Sequence, residues 1–164
     1  MPFTPFHFGP SVCIAIPFQK RIDIISFVFV SVVIDIEPLL VMFFDISYPL
    51  HGKIHTFIGA ALAGILLGTA LFLTRKPLDS LFRKRGFKYE TSIWKAVFSG
   101  IIGGFFHILM DAPLYTDIEP FYPLPDNPFY GTVSHFTMYA FSGILSVLCG
   151  FYILFKYQKI LKKP

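Results

Sequence analysis

The sequence predicts an all-α fold: a multi-pass membrane helical bundle of four transmembrane helices and a short N-terminal half-helix, forming one domain over residues 1–164. Three observations predict it. Hydrophobic residues make up 54% of the chain and charged residues only 15%, against about 25% charged in an ordinary soluble domain. Four apolar runs approach the roughly 20 residues a membrane span needs. The basic residues fall into the intervals before, between and after those runs, as topology demands.

The elements follow in order. "HFGPSVCIAIPF" (7–18) is apolar but too short to cross, and reads as a half-helix or re-entrant piece. It is a poor signal peptide, because its basic residues come after the apolar run. "IDIISFVFVSVVIDIEPLLVMFF" (22–44) is the first span and carries Asp35 and Glu37 in its middle. "IHTFIGAALAGILLGTALFLT" (54–74) is the second, "WKAVFSGIIGGFFHILM" (94–110) a slightly short third, and "HFTMYAFSGILSVLCGFYILF" (135–155) the fourth. The glycines of the second and third spans are read as close helix packing. Cys13 and Cys149 lie in apolar runs without metal or redox spacing, and are read as small buried thiols.

Charge then sets orientation. Lys20 and Arg21 precede the first span, Arg75 to Lys95, including "RKPLDSLFRKRGFK", joins the second to the third, and Lys156, Lys159, Lys162 and Lys163 follow the fourth. With four spans these segments share one side, which the positive-inside rule makes cytoplasmic. Every Lys and Arg except Lys53 is there, so the net charge of +4 reflects topology and nucleic acid is excluded as a partner. The opposite side holds all five histidines, His7, His51, His55, His107 and His135, with Asp35, Glu37, Asp45, Asp111, Asp117, Glu119 and Asp126. An Asp at a helix centre costs roughly 2.5–3.5 kcal/mol even on the lenient insertion scale. One lysine cannot offset so many acids. A bound metal ion would.

Depth agrees. If Lys20–Arg21 is the turn of a hairpin, His7 lies 14 residues before Arg21 and Asp35 lies 14 after it. At about 1.5 Å per residue both stand roughly 20 Å above that turn, and His107 about 18 Å above Lys95. His107 and Asp111 are four apart and share a helical face; His51 and His55, in "HGKIHT", have the same spacing. Asp35 and Glu37 cannot both face one direction squarely on a helix, but Pro38 disturbs the backbone ladder and lets both reach a cavity. Imidazole and carboxylate ligands suit Zn, Mn or Fe, and their number allows two ions. Asp35 or Glu37 would ligate or act as general base, with metal-activated water as the nucleophile. There is no GxSxG elbow and no glycine-rich phosphate loop followed by Lys and Ser or Thr.

"TPFHFGP", "VIDIEP", "HGKIHTFIGA", "HILMDAPLYTDIEPFYPL" and "DNP", in that order, resemble the membrane-bound metal-dependent hydrolases of bacteria and archaea, which are distantly related to zinc-dependent phospholipase C. The resemblance implies that His7, Asp35, His51, His55, His107 and Asp111 match the metal positions of that family. Glu37 stands where many members have Asp, and Gly52 where many have Arg. The expectation is therefore a multi-pass protein of the cell membrane, with a divalent metal site, zinc above others, opening to the non-cytoplasmic side. It would hydrolyse a phosphoester or related ester, lipidic or membrane-proximal, reached from the bilayer. The rivals are a small transporter and a non-catalytic assembly factor with a structural metal. His135, Asp117 and Glu119 have no assigned role at this stage.

Overall fold

The computed structural model describes residues 5–161; Lys162 and Lys163 lie outside them. Among the described residues seven α-helices follow one another: α1 (Pro5–Ala15), α2 (Ile24–Val33), α3 (Ile36–Phe43), α4 (Phe57–Leu73), α5 (Arg75–Arg83), α6 (Ile93–Asp111) and α7 (His135–Leu161). No strand occurs among the described residues. Three helical segments are long and apolar enough to cross a membrane: Ile24–Phe43, Ile93–Asp111 and His135–Phe155. The pair α4 and α5 meets the same test only together, with a 61° bend between its halves, so the spans number three or up to four. This is the pattern of a membrane protein.

Local chemistry explains the boundaries. Asp23 caps α2, its carboxylate accepting from the Ile25 and Ser26 amides. Its own amide donates to Ser99 on α6, and its other oxygen accepts from the Tyr89 hydroxyl at 2.8 Å. Ser92 caps α6 by accepting from the Lys95 amide. The first span is broken where Pro38 supplies no N–H to the Ile34 carbonyl. The ladder tightens there instead, with Glu37 N donating to Ile34 O at 3.2 Å and Asp35 N to Val32 O at 3.3 Å. Asp35 sits at that break.

The second span departs from the sequence expectation at its start. Residues Lys53–His55 form a 3-10 turn, and Thr56 is extended, its hydroxyl capping α4 through the Gly59 amide at 2.9 Å. Helix α4 therefore begins at Phe57, and His51 and His55 do not share a helical face.

Helix α6 is the centre of the bundle, packed against α4 and α2, while α1 joins α2 to α7. Glycine makes this closeness available. A methyl group on Gly103 would collide with the Phe27 carbonyl of α2, and one on Gly64 with the α6 backbone at Gly100 and Ile101. The α1–α2 seam is closed by a buried Ser11–Ser31 hydrogen bond of 2.7 Å. The close α2–α6–α4 packing carries the polar side chains of three helices to one end of the bundle.

Candidate metal centre

At that end four buried side chains, His7 of α1, Asp35 at the α2–α3 break and His107 and Asp111 of α6, offer ligand atoms within 4.8 Å of one another. A second group, His51, His55 and Asp111, meets the same limit. Asp111 belongs to both. All six residues are 3% exposed or less, so neither group is an accident of surface acids.

Hydrogen-bond polarity decides what these atoms can do. The His107 Nδ1–H donates to the Ser31 carbonyl at 2.7 Å, because a carbonyl can only accept. The His55 Nδ1–H likewise donates to the Glu37 carboxylate at 2.8 Å. With both rings neutral, each keeps a bare lone pair on Nε2, and the two Nε2 atoms face each other at 3.3 Å. Two lone pairs at that distance repel. Positive charge between or beside them turns the arrangement into an attractive one.

The carboxylates point the same way. Asp111 Oδ1 lies 3.1 Å from His7 Nε2, and Oδ2 lies 3.5 Å from His107 Nε2. Neither oxygen accepts a well-aligned hydrogen bond among the described residues, and neither His7 nitrogen makes one. Asp35 Oδ1 is 3.6 Å from His107 Nε2. Buried oxygens and nitrogens whose polar contacts are this poorly aligned are costly, and a cation among them would compensate. Imidazole nitrogens and carboxylate oxygens of this geometry can hold a metal ion, and the donor set fits a borderline divalent ion better than a soft one.

An outer layer orients the candidate ligand residues, an arrangement that metal-binding histidines usually require. Glu37 accepts from His55 and also from the Gly52 amide at 3.0 Å and the Ile54 amide at 3.3 Å, so it fixes the whole 52–55 turn. Asp117 does the same for His51, with its carboxylate 3.0 Å from both Nδ1 and the backbone amide. Burial works to raise the Asp117 pKa, but the His51 backbone and ring N–H groups outweigh it and hold it below the usual carboxylate range. Burial first, then His55, keeps the His51 ring below its ordinary value, with Asp117 opposing. The neutral form of His51 is thereby favoured.

The candidate residues thus divide. His7, Asp35, His51, His55, His107 and Asp111 come together, whereas Glu37 stands behind His55. His135 is exposed and lies in neither group, its ring edge-on to Tyr115 at 5.9 Å. Glu119 is at the rim, 3.5 Å from Lys53. Sequence reasoning gave no role to Ser31, whose carbonyl fixes His107, or to Tyr115, whose ring packs on His51 at 4.4 Å. Asp117 was visible only as an acid in an aromatic loop. No protein-family model, curated protein or solved structure matches this chain.

Proposed function

We propose that this chain is a four-span hydrolase of the cell membrane whose histidine–carboxylate cluster holds one or two zinc ions. One ion would be held by His7, Asp35, His107 and Asp111, and a second by His51, His55 and the shared Asp111. The observation that carries the reading is the 3.3 Å approach of the His55 and His107 Nε2 atoms, each ring fixed by an acceptor on its other nitrogen. A divalent ion in such a site supplies Lewis acidity toward an ester or phosphoryl oxygen and activates water at neutral pH. Glu37 and Asp117 keep His55 and His51 in the ligating tautomer. Glu37 is engaged by three N–H groups behind His55, whereas Asp35, with Oδ1 3.6 Å from His107 Nε2, stands within the cluster and would take a ligand's or a base's part there.

The motif order supports kinship with membrane-bound metal-dependent hydrolases, and a phosphoester or related ester as substrate. The basic segments, including the amphipathic α5, support a cytoplasmic location for the end opposite the cluster. The cluster then lies in the outer half of the bilayer, where a lipid or membrane-proximal molecule reaches it. One observation favours a second reading: the near-complete burial of all six ligands also suits a structural metal in a non-catalytic assembly factor.

The test is release of headgroup phosphate or fatty acid from phospholipid by detergent-solubilised, zinc-loaded protein. Hydrolysis that chelation removes, zinc restores and Asp35→Asn lowers at least about a hundredfold supports the enzyme, a loss on the scale of removing a transition-state stabiliser. Zinc-loaded protein inert toward both bond types leaves the structural reading.

A further inference from the structure

Every group turned toward the cluster so far is an acceptor or a lone-pair ligand. The exception is Tyr115. It lies on the loop just after α6, and its ring is held between His51 (4.4 Å, tilted) and His135 (5.9 Å, edge-on). Its hydroxyl is fully buried yet makes no hydrogen bond in good geometry among the described residues. The Tyr139 phenol is beside it but outside that geometry, and the hydroxyl lies within range of the Asp111 and Asp35 charges. A buried O–H without an acceptor costs about 1–3 kcal/mol.

The position is also braced. The Asn127 amide donates to the Ala112 carbonyl at 2.9 Å and to the Tyr115 carbonyl at 3.1 Å, while its oxygen accepts from the Phe129 amide at 3.1 Å. The loop carrying Tyr115 is therefore fixed to the end of α6, one turn beyond Asp111. A rigid, buried phenol whose nearest polar neighbour is a second phenol in poor geometry, with its ring on candidate ligand His51, is suited to turn its donor to an incoming oxygen.

We propose that the Tyr115 hydroxyl donates a hydrogen bond to a substrate oxyanion, the non-bridging oxygen of a phosphoryl group or the acyl oxygen of an ester. This rests on the metal reading above, because without a cation an oxyanion would enter beside Asp111 against like charge. Tyr115 then selects acceptor-rich ligands and stabilises charge that grows on that oxygen as the bond breaks. It forms no covalent bond and keeps its proton.

The experiment uses the full-length, zinc-loaded protein with two probes, inorganic phosphate and acetate, binding to wild type and to Tyr115→Phe. The Phe ring preserves the stacking on His51, so metal content should be unchanged. The expected result is phosphate affinity about ten- to a hundredfold lower in the variant, the scale of one hydrogen bond to a charged group. A loss confined to acetate supports the same donor with an acyl rather than a phosphoryl substrate. Equal affinity of both proteins for both probes, with metal retained, overturns the role of Tyr115 but leaves the metal centre standing. Zinc-loaded wild type that binds neither probe also overturns it. Wild type that takes up no metal overturns this assignment and the metal reading together. As a second variant, Asn127→Ala loosens the brace while keeping the phenol; a smaller loss than in Tyr115→Phe is expected, and a larger one would make the loop, not the hydroxyl, the determinant.

Discussion

Helices α6 and α7 are both apolar, both long enough to cross a membrane and both glycine-containing, yet they hold opposite places in the molecule. The spanning window of α6 is 44% buried and that of α7 only 11%. A methyl group on Gly100, Gly103 or Gly104 of α6 would meet atoms of α4 or of the α2 segment, whereas one on Gly143 or Gly150 of α7 would meet nothing among the described residues. Helix α6 ends in His107 and Asp111, both buried; α7 begins with exposed His135 and presents Phe136, Leu154 and Phe155 outward. Hydropathy alone cannot distinguish two such helices. What distinguishes them is that α6 packs its glycines against two helices, α4 and α2, and buries His107 and Asp111 among them, whereas α7 packs its small residues Ser142, Ser146 and Cys149 against α1 and leaves His135 exposed.

The comparison can be broken most severely at Gly103. Gly103→Leu drives a side chain into the Phe27 carbonyl and should abolish the cooperative thermal transition in detergent, whereas Gly143→Leu on α7 should leave it within a few degrees. Equal tolerance would mean that the α2–α6 contact does not hold the bundle. A smaller effect is expected in the outer layer. Glu37→Gln, which weakens the acceptor behind His55, should lower zinc affinity about 10- to 100-fold by competition with a chelating dye, while His135→Ala on α7 leaves it unchanged. Smallest is the α1–α2 seam. Ser11→Ala strands the Ser31 hydroxyl and should cost about 1 kcal/mol in denaturant unfolding, and the Ser11→Ala/Ser31→Ala double variant should recover part of it.

Much of the arrangement was legible in the sequence for a simple reason. A helix has a fixed rise, so counting residues from the basic turn brings His7, Asp35 and His107 to one level without knowledge of packing. The Pro38 disturbance was legible too, since a missing N–H is a local fact. The 51–55 segment was not. Its four-residue spacing imitates a helix, but Thr56 caps α4 from outside and the histidines meet through a 3-10 turn, rings 4.8 Å apart. Glu37 and Asp117 were equally opaque, because their partners come from loops 15 to 66 residues away in sequence. Nor could hydropathy foresee the 61° bend after α4, which leaves the span count at three or up to four.

The metal content of purified protein bears most directly on why these imidazoles and carboxylates converge. After zinc loading and removal of loosely bound ions, wild type should retain between one and two equivalents per chain, and His107→Ala/Asp111→Ala should retain only background. Equal content in the two proteins, with both folded, would contradict a cation at the junction of α1, α2, α6 and the 51–55 turn.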